Sequence, residues 1–251
     1  MLTDERLDRI REQLIASGKV LASELALQFD VSEDTVRRDL RELAKSGFCR
    51  RVYGGALLPT PDLGSLATRM AIQQDRKINL AWCAADLVED GQTIFIDAGS
   101  TNLAIAKALS PKRKLTIVTN APVIASALSD RPNHTIIMLG GMYDQGSGAC
   151  IGPQAIRETT QIFADLFIVG TCGVDSNVGV TALDAGEAEL KRVMLEQSSL
   201  LLVAATTDKI GTVAPFKIAD ASIIDHLVIE TDKVDTAKFA EAGAQVHIAA
   251  A

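Results

Sequence analysis

Apolar and polar positions follow two different rhythms along this chain. Over residues 19–56, KVLASELALQFDVSEDTVRRDLRELAKSGFCRRVYGGA, short apolar stripes at helical spacing are separated by polar turns. Ser23 is placed to cap a helix over 24–29 and Ser32 to cap a second one, because a side-chain oxygen there accepts an otherwise unpaired first-turn N–H. Glu33 and Asp34 follow Ser32, where the helix dipole favours negative charge. On the second helix Val36, Leu40 and Leu43 share one face and are expected to bury against Leu25, Leu27 and Phe29. Gly47 suits the helix end, and Phe48 to Tyr53 alternates loosely up to Gly54-Gly55, which predicts a hairpin. The pattern is two short helices, a tight turn between them, and a glycine-tipped wing.

Beyond Leu58-Pro59-Thr60-Pro61-Asp62, a stretch that suits a linker, the rhythm changes. A helix is predicted over 65–88, with the lone tryptophan, Trp82, as a packing residue. Apolar runs of strand length then recur at 93–97, 115–120, 135–140, 166–170, 200–205, 227–231 and 246–249. Helical patterns fall between several of them, at 102–109, 123–128, 153–161 and 186–197. Such alternation predicts an open α/β fold, a mostly parallel sheet with helices on both faces. The division expected is a winged helical domain over 3–58, a linker over 59–75 and an α/β domain over 76–251.

Composition changes this picture little, but charge sharpens it. The chain has 251 residues, 47% of them apolar, and a net charge of −7, enough for a small domain and one of ordinary size. Residues 1–58 carry ten basic and ten acidic side chains, so the remaining 15 basic and 22 acidic residues account for the whole excess. Within 35–53, however, six basic residues face two acidic ones. No apolar run approaches the roughly 20 residues that span a bilayer, and the charged N-terminus does not read as a signal sequence; a cytoplasmic protein without a membrane partner is expected. Cys49, Cys83, Cys150 and Cys172 have no paired spacing, and His134, His226 and His247 are equally scattered. Reduced thiols, no metal, no cofactor and no catalytic residues are expected.

The local positive charge lies where a helix can enter the major groove of DNA. Thr35, Arg37, Arg38, Arg41 and Lys45 fall away from the apolar stripe of the second helix. Arginine can fork onto phosphate or onto guanine O6 and N7, and a hydroxyl near the helix start can reach phosphate or a base edge. Arg50 and Arg51 of the hairpin are placed to hold the flanking backbone. A solvated basic face is the bland alternative, but capped helices, a matching core stripe and a basic hairpin together favour double-stranded operator DNA.

In open parallel sheets ligands bind at the carboxyl ends of strands, and here those ends are small and polar. The first leads into Asp97-Ala98-Gly99-Ser100-Thr101 before a helix, the second ends in Thr119-Asn120, the third in Gly140-Gly141, and the fourth runs through Gly173 to Asp175. Glycine lets backbone approach a ligand, and a helix N-terminus offers free N–H groups to an anion such as phosphate. Asp97, Asp175 and Glu187 could accept from sugar hydroxyls, while Lys191 and Lys209 could pair with phosphate or carboxylate. Glu187 and Lys191, at i and i+4, are equally compatible with an exposed helical ion pair.

Taken in order, VSEDTVRRDL, YGGA, IDAGST, VTN, LGG, GVD, Glu187 with Lys191, and Asp208-Lys209 resemble the DeoR family of bacterial transcriptional regulators over residues 3–231. The resemblance implies a winged helix-turn-helix domain followed by a Rossmann-like sensor domain similar to ribose-5-phosphate isomerase. It further implies a repressor of a sugar or polyol catabolic operon, released by a phosphorylated metabolite and acting as a homodimer or homotetramer. Residues 173–192 resemble the branch that responds to glycerol 3-phosphate. Thr206 stands where the family's aspartate is expected, which weakens the alternative of a sugar-phosphate isomerase with a DNA-binding appendage.

Overall fold

The computed structural model describes residues 2–59, 64–72, 74–231 and 236–249. The chain opens with α1 (Thr3–Ser17), β1 (Lys19–Leu21), α2 (Ala22–Phe29), α3 (Glu33–Lys45), β2 (Arg50–Val52) and β3 (Gly55–Pro59). Leu7, Ile10 and Leu14 from α1, Leu25 and Phe29 from α2, and Val36, Leu40 and Leu43 from α3 fill one core. Leu27 does not join it. The buried face of α2 comprises Ala22, Leu25, Ala26 and Phe29, so Leu27 points outward and is 85% exposed. Ser23 is also displaced from its expected role: α2 leaves β1 directly, Leu21 occupies the cap position, and Ser23 lies inside the first turn.

A buried bidentate pair ties α1 to α3, with Arg6 donating to Asp39 at 2.5 and 3.0 Å. Two glycines shape the wing. Gly54 takes the left-handed φ of +84° that closes the two-residue turn Tyr53-Gly54 between β2 and β3. At Gly55 an added Cβ would lie 2.0 Å from the Val20 carbonyl oxygen, so β1 can approach β3 closely only because no side chain intervenes.

Of the expected linker, Thr60, Pro61 and Asp62 lie outside the described residues. Leu58 and Pro59 do not act as linker; they extend β3. Next come α4 (Leu66–Ala71) and α5 (Gln74–Asp86), two helices where one was expected, because Ile72 is extended with φ −96° and ψ 136°. Trp82 lies off the buried stripe of α5, which is formed by Lys77, Leu80, Ala81, Ala84 and Ala85. It is 59% exposed, so it is not the packing residue expected.

The remaining elements are β4 (Thr93–Ile96), α6 (Ser100–Ala108), β5 (Leu115–Thr119), α7 (Pro122–Ala127), β6 (His134–Met138), β7 (Met142–Asp144), β8 (Ala149–Ile151), α8 (Pro153–Thr159) and β9 (Ala164–Val169). They continue with β10 (Gly173–Asp175), β11 (Gly179–Ala182), α9 (Ala185–Glu196), β12 (Ser198–Ala205), a 3-10 turn at Thr207–Lys209, and β13 (Thr212–Val213). The chain closes with β14 (Phe216–Ala219), β15 (His226–Ile229), α10 (Ala237–Glu241) and β16 (Gln245–Ile248). Among the described residues, seven strands form one sheet in the order β16-β15-β12-β9-β4-β5-β6, and every pair in it is parallel. Ile94, Ile96, Leu166 and Ile168 face a layer built by α5, α6 and α7. Their alternates Phe95, Phe167 and Val169 face α8 and α9, as the two-residue period of a strand requires.

Strand order reverses between β4 and β9, which is where ligands enter sheets of this kind. A second connection matters as much. Thr212 and Val213 of β13 pair in parallel with Leu58 and Pro59 of β3, so the wing sheet takes up a strand from the α/β domain.

Candidate functional site

The basic face of the N-terminal domain is built by α3 and the wing. Ser32 caps α3 as expected, accepting from the Thr35 amide at 3.2 Å, and its hydroxyl also meets that of Thr35 at 2.9 Å. Gly47, with φ +77°, lets the Phe48 amide return to the Leu43 carbonyl at 3.0 Å and end the helix. Arg37, Arg38, Arg41, Lys45, Arg50 and Arg51 are all exposed. Arg37 differs from the others in being held by Glu33 at 2.7 Å and Asp34 at 3.5 Å. Tyr53 stands fully exposed at the wing tip between the basic β2 and the glycine turn. Such an arrangement presents a cationic helix and a cationic hairpin on one side of a rigid core.

A cavity of about 380 Å³ lies in the α/β domain. It gathers Glu187 and Lys209 from the expected set, with Thr171 and Cys172 beyond β9, Asp184 ahead of α9, and Asp208. It also gathers residues that sequence reasoning did not single out: Asp144, Gly146 and Ser147 from the β7-β8 hairpin, and Ser65 and Arg69 from the start of α4. Lys209 donates to the Thr171 carbonyl at 2.7 Å. Burial drives its pKa down to about 8, and the nearby Arg69 guanidinium pushes the same way.

Behind Glu187 lies a charged cluster that plugs the β4-β9 crevice. Lys191 meets Glu187 at 2.5 Å and Asp97 at 3.0 Å, and donates to the Gly170 carbonyl at 2.5 Å. Asp97 also accepts from the Gly170 amide at 2.5 Å and from Asn102 at 2.9 Å. Burial raises the Asp97 carboxyl to about 6 against the pull of Lys191. Burial alone would lower Lys191, but Asp97 and Glu187 outweigh it and hold it above the ordinary lysine value. The Glu187-Lys191 pair is therefore not an exposed helical pair; its side chains are 11% and 3% exposed.

Several other expected contacts do not reach this cavity. Asp97 and Lys191 are spent on each other and are 1% and 3% exposed. Asp175 turns to the amides of Asn177 and Val178 at 2.9 and 3.1 Å, closing its own hairpin. Thr119 accepts from the Ala121 amide, and Asn120 bridges the Ala98 amide to the Cys150 carbonyl; both are buried. Gly140 donates to Glu158, and Gly141, with φ +128°, starts the β7-β8 hairpin. Gly173 lends its carbonyl to the hydroxyls of Thr171 and Thr181. Gly99 and Thr101 are buried at the start of α6, and Ser100 borders a separate apolar cavity beside Trp82. Thr206 is 2% exposed and accepts from the Lys209 amide through its carbonyl, so it also lies behind the cavity wall. His226 and His247, distant in sequence, meet at 3.2 Å across β15 and β16.

A helix-turn-helix with a basic second helix and wing, followed by a parallel-sheet α/β domain, defines the class: a DNA-binding transcriptional regulator with a sensor domain. The chain belongs to the DeoR family: it matches the DeoR-like helix-turn-helix domain over residues 6–62 and the DeoR C terminal sensor domain over residues 72–232. The HTH-type transcriptional regulator GolR of Listeria innocua is 34% identical over 99% of this chain and 100% of its own. The glycerol-3-phosphate regulon repressor of Escherichia coli is 33% identical over 90% of each. Ribose 5-phosphate isomerase A of Neisseria gonorrhoeae superposes on 57% of this chain, and 56% of its own, with a TM-score of 0.43 and 17% identity. No described helix is long and apolar enough to cross a membrane.

Proposed function

We propose that this protein represses a sugar or polyol catabolic operon and leaves its operator when a phosphorylated sugar or polyol enters the Lys209 cavity. One observation carries the reading: a lysine whose charge is disfavoured by burial faces a cavity that it shares with the Arg69 guanidinium, carboxylates and hydroxyls. An anion would restore that charge, while Glu187 and Ser147 could take the hydroxyls of the same molecule. The glycerol-3-phosphate regulon repressor among the relatives makes glycerol 3-phosphate the first compound to try. An isomerase reading gains nothing from the geometry, since Asp175 lies apart from Glu187 and Lys209. A homo-oligomer is part of the proposal, because two recognition helices must match two half-sites, and a ligand shifts that match only through unequal affinity for two arrangements.

The sign of the pH dependence follows from Lys209. In the free protein it loses its proton as pH rises through about 8; beside a bound phosphate it keeps that proton to a higher pH. Binding above pH 8 therefore takes up a proton, and affinity should fall by up to about tenfold per pH unit there. Below that, affinity holds until the phosphate itself protonates near pH ~6. Calorimetric titration with glycerol 3-phosphate and with pentose and hexose phosphates between pH 6.5 and 9.5 tests this. Lys209→Met should weaken binding and flatten the slope; a slope that survives the substitution would remove Lys209 from the site.

A further inference from the structure

We propose that Arg69, on α4 within the segment joining the two domains, is a second cation for the anion of the effector, so that ligand binding fastens that segment. This rests on reading the Lys209 cavity as the effector site. Arg69 lines that cavity with Lys209 and Glu187. Its Nε is buried with no hydrogen-bond partner, and among the described residues no carboxylate lies within 4 Å of it. Arg76 shows what an arginine with a structural task looks like here: it forks onto Glu230 at 2.5 and 2.6 Å and reaches Asp208 at 3.1 Å. A guanidinium left without an acceptor beside a cavity that already holds an ammonium suits the paired oxygens of phosphate, which arginine can engage through two parallel N–H bonds.

The backbone beneath Arg69 is held in place. Lys77 donates to the carbonyls of Arg69 and Ile72 at 2.5 and 2.6 Å, and the Leu66 amide donates to the Gly146 carbonyl at 3.0 Å. The guanidinium is thus presented from a fixed turn and not from a free loop. Lys209, which lines the same cavity, lies three residues before Thr212, which pairs with β3 of the wing sheet. Between them the Gly211 amide donates to the Val174 carbonyl at 2.8 Å. Arg69 and Lys209 therefore stand on the two segments that lead from the cavity to the DNA-binding domain. One anion between them would tie both together, a differential contact of the kind that can shift a two-state equilibrium.

The test uses the full chain, with glycerol 3-phosphate, hexose 6-phosphates and inorganic phosphate as probes and unphosphorylated glycerol as the uncharged control. Affinity is measured by calorimetry, and release from an operator duplex by fluorescence anisotropy. Arg69→Met should weaken phosphate-ester binding at least tenfold and shift release to correspondingly higher ligand concentration, read relative to the variant's own ligand-free operator affinity. Arg69→Lys should recover part of the binding, since it restores charge but not the fork. Phosphate-ester affinity unchanged in Arg69→Met while Lys209→Met loses it would overturn the role of Arg69 and leave the effector reading standing. If no phosphorylated probe binds the unmodified protein, both fail together.

Discussion

Arg38→Ala should cost more operator affinity than Arg37→Ala, and the double substitution should cost at least about thirtyfold. Both side chains are exposed on α3, and truncating one arginine at a DNA contact typically costs about 1–3 kcal/mol, or roughly 5- to 150-fold. They do not start from the same state. Arg37 is held by Glu33 and Asp34 within its own helix, so DNA must replace two carboxylates and the net gain is smaller. No such exchange is needed at Arg38. Anisotropy titrations against the operator and a scrambled duplex at several salt concentrations separate the roles. Loss on both duplexes with a shallower salt dependence marks a phosphate contact, and loss on the operator alone marks a base contact. Wild-type affinity in the double variant would remove α3 from the interface.

Much of the fold was legible because buried parallel strands are written as continuous apolar runs. All seven strands of the main sheet appear within a few residues of the expected positions, and α3 was marked by its cap, its stripe and its closing glycine. The misplacements have local causes. Trp82 could have been set outside by the helical period itself, since the stripe through Lys77, Leu80, Ala81 and Ala84 excludes it. Ser23 looked like a cap because β1 was not seen to run straight into α2. The break at Ile72 had no proline or glycine to announce it.

The cavity was less legible, for a different reason. A carboxylate at a strand end reads as a ligand contact until a lysine from far along the chain is seen to fold back on it, as Lys191 does on Asp97. Asp175 carried a better clue, since a short acidic side chain followed by Ser176-Asn177 can turn onto its own backbone amides, and it does so. Arg69 offered no sequence signal at all. Its place follows from α4 lying against the β7-β8 hairpin, a contact between segments about 80 residues apart in sequence, as the Leu66-Gly146 hydrogen bond shows. The pairing of β3 with β13 was hidden in the same way, in two residues too few to form a pattern.

Lys191→Met should destabilise the sensor domain by about 3–5 kcal/mol near pH 8, the cost of removing one partner from a buried charge cluster. Methionine keeps the volume of the stem but leaves Asp97 and Glu187 facing each other without a cation. The loss should depend on pH with a definite sign. The Asp97 carboxyl titrates at about 6 with Lys191 in place, and without it the folded-state value rises further above the ordinary 3.9 or so of an unfolded aspartate. For a carboxyl raised on folding, stability is fully present below the unfolded value and is lost as pH rises through the folded one. The deficit against the unmodified protein should therefore be small near pH 5 and large at pH 8, as read by urea denaturation at both. Adding Asp97→Asn to Lys191→Met should recover much of the loss at pH 8, because Asn102 and the Gly170 amide still find an oxygen there while the more deeply buried of the two uncompensated charges is gone. A deficit equal at both pH values, or untouched by Asp97→Asn, would show that Lys191 serves by packing and not by neutralising the carboxylates behind the cavity.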